Sequence, residues 1–182
     1  ADTTLHDDIN TTGAQTYGGT LTLAGDVRLT SAGSIGFTGS VTGPHALTLV
    51  AAGGTNFGGA VSIASLDVLR AASLGNATIT TSGAQHWRGA LGLIGNATLT
   101  STGGGLLRFD GAIDGPGSLI ANTAGATEFG GAIGATQALA TLTTDAAGST
   151  TLAGNVRTSG ALTVNDALTL ARNATLTAGS GT

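Results

Sequence analysis

Every aromatic side chain in this chain, six in all, occupies the same place in the same short motif. The motif reads aromatic, any residue, glycine, small residue, aliphatic residue. It appears as YGGTL at Tyr17, FTGSV at Phe37, FGGAV at Phe57, WRGAL at Trp87, FDGAI at Phe109 and FGGAI at Phe129. Worn copies follow as LAGNV at Leu152 and VNDAL at Val164. Successive copies from Tyr17 to Leu152 lie 20, 20, 30, 22, 20 and 23 residues apart. A slot shared this strictly requires a structural unit that returns about every 20 residues.

A longer period lies on top of the short one. GAQTYGGTLTLAGDVRLTS, from Gly13, returns 70 residues later as GAQHWRGALGLIGNATLTS, from Gly83. A third, worn copy runs from Gly160 as GALTVNDALTLARNATLTA. Each long unit holds short units plus an insertion, which between Leu69 and Gln85 brings in a strand-like ATI around Ile79.

Within the short units apolar residues alternate: Leu21 and Leu23, Leu47 and Leu49, Val61 and Ile63, Leu91 and Leu93. Period two marks strands, and no stretch sustains a helical period. The runs end after a few residues at Gly, Asn, Ser or Asp turns. A sandwich or meander wants longer strands joined by hairpins, and neither explains the strict spacing. The expected fold is all-β: a right-handed parallel β-helix, or β-solenoid, with about 20 residues per coil and roughly eight coils. One such domain is expected over 1–182, with 1–10 as a frayed polar segment. Without an initiator methionine, the chain reads as a piece of a longer protein. The aromatic column is expected to point inward and stack. The glycine two residues later marks a bend where a Cβ would clash or φ is positive.

Glycine supplies 32 residues, but collagen needs abundant proline and there are 2. Disorder needs few hydrophobics, and here they make up 41%. Cysteine is absent, so no thiolate or Cys-based metal site is available. Lysine is absent too, so none of the glycine-rich stretches completes a phosphate loop. Apolar runs are broken too often for a spanning helix, and a net charge of -4 gives no basic patch for nucleic acid.

Few residues suggest chemistry. His6, His45 and His86 are far apart, and the coil register brings no two together. Asp7 and Asp8 lie beside His6 in the polar terminus. Asp110 and Asp114 flank a bend, where paired carboxylates can do acid–base work or bind calcium, although turns favour Asp for local hydrogen bonds. Sequons at Asn10, Asn76, Asn96 and Asn173 are glycosylation acceptors in form. The spacing of Asn76 and Asn96 points instead to a stacked Asn ladder at a turn. Register also predicts outward ion pairs between coils: Arg88 with Asp110, and His86, Arg108 and Glu128 in one column. No catalytic, cofactor-binding or metal-binding residue is assigned, and no cofactor is expected.

At GAQTYGGTLTL, FTGSV, GPHALTL, FGGAV and their second-unit echoes, the chain resembles the repeat regions of filamentous-haemagglutinin-like surface proteins. The resemblance covers about Thr11 to Thr177. It implies a secreted, outer-membrane-associated fibre at the bacterial cell surface, reached by two-partner or autotransporter (type V) secretion, with roles in adhesion and biofilm. The expected function is a non-catalytic structural or adhesive stalk module. Its expected partners are neighbouring repeats of the full-length chain, host-cell or matrix surfaces or glycans, and itself, end to end. No nucleic-acid partner and no membrane insertion are expected. The alternative is a polysaccharide-binding or polysaccharide-cleaving β-helix. A third reading, an ice-binding solenoid, needs an unbroken threonine ladder. The nearest column, Thr22, Thr42, Ser62, Gly92, Asp114 and Gly134, breaks after three coils.

Overall fold

Strands of two to six residues wind in sequence round three parallel sides, and each turn adds one strand to each side except where isolated bridges at Ile133 stand in for a strand on the third. The structure, a computed structural model, describes residues 1–179; residues 180–182 of the expected domain lie outside the described residues. The first sheet holds Thr3–Leu5, Leu21–Leu23, Val41–Thr42, Val61–Ile63, Ala77–Thr81, Ala97–Ser101, Leu119–Thr123, Leu142–Thr144 and Leu162–Thr163. The second holds Ile9–Thr11, Val27–Ser31, Ala46–Ala51, Ser65–Val68, Gln85–Trp87, Leu107–Phe109, Ala126–Phe129, Ser149–Leu152 and Ala167–Leu170. The third runs from Gln15–Tyr17 through Ile35–Phe37, Thr55–Phe57, Ala72–Leu74 and Leu91–Leu93 to Ile113–Asp114. Isolated bridges at Ile133 carry that side on to Val156–Thr158, which pairs with Leu176–Ala178. Every strand pair is parallel (for example Leu21↔Val41 and Leu29↔Leu49).

This is the expected β-solenoid, with nine turns in place of eight. At the β spacing of about 4.8 Å the rod is about 40 Å long. The extra turn comes from the segment expected to fray. Thr3–Leu5 and Ile9–Thr11 pair with the next turn, and Leu5 and Ile9 pack on the core. Its polar composition hid an alternation just long enough to place one apolar side chain inward from each strand.

The core is one continuous column of alternate strand residues, among them Leu21, Leu23, Leu29, Leu49, Ile79, Leu99 and Leu119. The six rings stack along it. Centroid separations are 5.4 Å from Tyr17 to Phe37, 5.3 Å to Phe57, 5.8 Å to Trp87, 6.5 Å to Phe109 and 5.0 Å to Phe129. The rings do not, however, share one side of the coil. Tyr17, Phe37 and Phe57 belong to the third sheet, whereas Trp87, Phe109 and Phe129 belong to the second. In the third sheet Phe57 lies opposite Leu74, and in the second Trp87 lies opposite Val68. The long gap between Phe57 and Trp87 is therefore a change of side, and the two rings meet edge-on at 72°.

The long repeat makes the same move. Its first copy begins on the third sheet at Gln15, its second on the second sheet at Gln85, and its third on the first sheet at Leu162. Local hydrogen bonding travels with the sequence. Gln15 Nε2 donates to Thr30 O at 2.8 Å, and Gln85 Nε2 to Thr100 O at 3.1 Å. Ser31 and Ser101 each donate to the carbonyl of the repeat's first glycine, Gly13 and Gly83, at 2.8 Å. Thr11, Thr81 and Thr158 donate to Gly13, Gly83 and Gly160 at 2.6, 2.6 and 2.8 Å. The three sides of the coil are thus interchangeable hosts for one sequence. Each asks only for a short strand with apolar residues two apart and a tight corner.

Motif glycines form those corners by stacking backbone on backbone. A Cβ on Gly39 would collide with the Gly19 carbonyl, one on Gly59 with Gly39, and one on Gly131 with Gly111. None of these has positive φ, so of the two expected reasons the close approach is the one that operates. Gly36, in mid-strand, faces open space. Gly39→Ala is expected to cost about 1–3 kcal/mol through overpacking, while Gly36→Ala stays within about 0.5 kcal/mol of the parent. Denaturant unfolding of the two variants checks this.

Candidate functional site

Charge is scarce in this chain, and much of it gathers on the outer side of the second sheet. Parallel register lines up Asp67, His86, Arg108 and Glu128 on four successive turns, alternate to the inward residues Val68, Trp87, Phe109 and Phe129. Arg88 and Asp110, just beyond the aromatic slot, complete the group.

The group forms two linked sets. Asp67 binds Arg88 bidentately, with Nε to Oδ1 and Nη2 to Oδ2 both at 2.9 Å. Asp110 receives Arg108 Nε at 2.7 Å on one oxygen and meets His86 Nε2 at 2.6 Å on the other. Arg108 Nη1 reaches Glu128 at 3.3 Å. Burial pushes the Asp110 carboxyl up, and the hydrogen bonds and charges of Arg108 and His86 more than reverse this, so its pKa lies below the ordinary value. Hydrogen bonding and the charge of Asp67 hold the Arg88 guanidinium above its usual value, and Asp110 does the same for Arg108.

The expected column of His86, Arg108 and Glu128 is present, but Arg88 pairs with Asp67 and not with Asp110. The reason is the diagonal offset of parallel strands: Arg88 reaches back to the preceding turn, while Asp110 is held by Arg108 on its own strand. Asp67 escaped the sequence reading because SLDV lacks an aromatic, so Val68 could not be placed in the slot that fixes the register.

The other candidates are dispersed. His45 Nδ1 lies 3.5 Å from Asp26 Oδ1, remote from His86 in the turn order. Among the described residues no three His, Cys, Asp or Glu side chains are grouped to hold a metal ion. Asp8 accepts the Arg28 amide at 2.7 Å. Asp114 and Asp110 are not brought together: Asp114 lies in the third sheet and accepts the Thr136 amide at 2.8 Å. The Asn ladder is as expected, with Asn76 Oδ1 receiving the Asn96 amide at 3.0 Å and Asn96 Oδ1 the Ser118 amide at 3.1 Å. Asn10 lies in an outer strand of the first turn and Asn173 in an exposed turn.

The first sheet is different in kind. Its strands, from Thr3–Leu5 to Leu162–Thr163, carry no charged residue. Their outward column reads Thr4, Thr22, Thr42, Ser62, Thr80 and Thr100, then Asn122. The ladder expected to break after Ser62 therefore continues, because the change of side at the fourth turn brings Thr80 in place of Gly92. Thr78 and Thr98 add a second hydroxyl column beside it. A shallow hollow of about 430 Å³ runs along this ladder, lined by Thr42, Ser62, Thr80, Ser82 and Thr102.

Chemically, the second sheet offers a strip of alternating charge whose members neutralise one another across turns. Asp110→Asn is expected to lower the melting temperature at neutral pH by a few degrees at most, since an exposed pair contributes little. Because the folded pKa is depressed, the contribution is present above the unfolded carboxyl value of about 3.9 and lost as pH falls through the folded value. Melting curves of parent and variant should converge in acid.

No family model, no curated protein and no solved structure matches this chain.

Proposed function

We propose that this chain is a rigid, non-catalytic spacer with adhesive faces, part of a secreted fibre at the bacterial cell surface. The observation that carries this reading is the unbroken core, which runs through successive turns while the sequence repeat moves from side to side. A rod of this kind grows by adding turns and keeps its cross-section, as a stalk requires. Three sides with different outer chemistry give it surfaces for host-cell, matrix or glycan partners without any change to its interior.

Two measurements test it. Pulled from its ends, the chain should release turn by turn, in steps of about 20 residues or about 70 Å of contour; a single all-or-none event would count against a stalk. Incubation with pectin, alginate or hyaluronan should yield no new chain ends, and turnover would establish the alternative, a polysaccharide-cleaving β-helix.

One observation favours a second reading. A six-rung hydroxyl ladder on an even β spacing suits an uncharged hydrogen-bonding lattice such as ice. This reading predicts a gap between melting and freezing points that disappears in Thr42→Lys and Thr80→Lys. Absence of a gap in the parent ends it.

A further inference from the structure

Two copies of the long repeat place a glutamine and an aromatic residue two apart on the inward side of one strand, Gln15 with Tyr17 and Gln85 with Trp87. Both amides are held alike. Gln15 Nε2 donates to Thr11 Oγ1 at 3.1 Å and to Thr30 O at 2.8 Å. Gln85 Nε2 donates to Thr81 Oγ1 at 3.3 Å and to Thr100 O at 3.1 Å, the same partners one repeat later. In the first copy Gln15 Oε1 is then left to accept the Tyr17 hydroxyl at 3.0 Å. In the second, neither Gln85 Oε1 nor Trp87 Nε1 has a hydrogen-bond partner among the described residues, although Gln85 is 0% and Trp87 1% exposed. One atom is an acceptor and the other a donor, and burial without a partner is costly for both.

The difference lies in reach. A phenol carries its oxygen beyond the ring, whereas indole Nε1 is a ring atom closer to the backbone. Trp87 therefore does not close on Gln85 as Tyr17 closes on Gln15. There is also room beside it. The slot opposite Trp87 on the preceding turn holds Val68 in place of a ring. The two widest separations in the ring stack, 5.8 Å to Phe57 and 6.5 Å to Phe109, both involve Trp87. We propose that Gln85 Oε1 and Trp87 Nε1 form an internal binding site for one water molecule. The water accepts from the indole N–H and donates to the amide oxygen, which supplies the two polar partners a buried water needs at least. It takes the part that the Tyr17 oxygen plays in the first copy, at the point where the stack changes sides. The site belongs to the interior alone, so its failure would leave the spacer reading standing.

Trp87 is the single tryptophan, so the chain labelled with heavy nitrogen in its indole ring gives one indole N–H resonance. That resonance should show magnetisation transfer from a water that stays bound longer than the molecule takes to tumble. A high-resolution crystal structure should place a water about 2.7–3.2 Å from both atoms. In Trp87→Tyr the phenol should bond Gln85 directly and the water contact should vanish. This variant should melt about 2–4 °C above Trp87→Phe, which keeps a ring but removes the donor. Should either variant misfold, the parent's indole resonance decides by itself. An indole N–H without a water contact, or one shifted upfield by the face of the Phe57 ring, overturns the proposal. Tyr and Phe variants that melt together would do the same.

Discussion

Everything in this rod depends on how closely one turn can lie on the next. Parallel hydrogen bonds set the separation along each strand, and the corners must match it. Where Gly39 rests on Gly19 and Gly59 on Gly39, backbone meets backbone with no room for a side chain. Larger residues would hold the corners apart while the strands stayed close. The turn would then shear, and the inward side chains would lose their contacts with those above and below. Glycine stands at the motif corners for that reason and not for positive φ, which none of the motif glycines adopts.

Once corners are small and strands short, the sides of the coil become equivalent, and the sequence exploits this. A unit that begins on the third sheet in its first copy begins on the second in its second copy and on the first in its third. Inward residues keep their neighbours, as the matched bonds of Gln15 and Gln85 show. Outward residues do not keep their address. Thr16 lies on the third sheet, while His86, the same position in the next copy, joins the charged column of the second. Core and surface are thereby uncoupled: one repeat supplies a constant interior while its outward positions are distributed round the rod.

What could be read from sequence follows the same division. The period, the inward aromatics, the Asn76–Asn96 ladder and the column of His86, Arg108 and Glu128 all depend on spacing within a run of regular turns, and spacing is visible. The change of side was not visible, because a gap between Phe57 and Trp87 looks alike whether it is an insertion or a shift. Three misreadings descend from it. Spacing alone puts all six rings in one column, leaves Asp67 without its place opposite His86, and leads the hydroxyl ladder to Gly92 in place of Thr80. The first turn was missed for another reason: Thr3–Leu5 and Ile9–Thr11 each carry a single inward apolar residue, too little to show a period.

The charged network lies over the place where this shift occurs. Inside, the stack changes sides between Phe57 and Trp87, the rings meet edge-on, and the turn between them fills the slots with the smaller Val68 and Leu74. Outside, Asp67 grips Arg88 across the same two turns, and His86, Arg108, Asp110 and Glu128 continue the links through the next. Exposed pairs of this kind add little stability. Their geometry is directional, however, and a bidentate Arg–carboxylate contact tolerates little displacement. In a parallel sheet a slip of one residue would turn every inward side chain outward. Where the stack changes sides, the buried alternation of Leu66 with Val68 and Ala72 with Leu74 carries the register on, and the bidentate Asp67–Arg88 pair outside fits the same register.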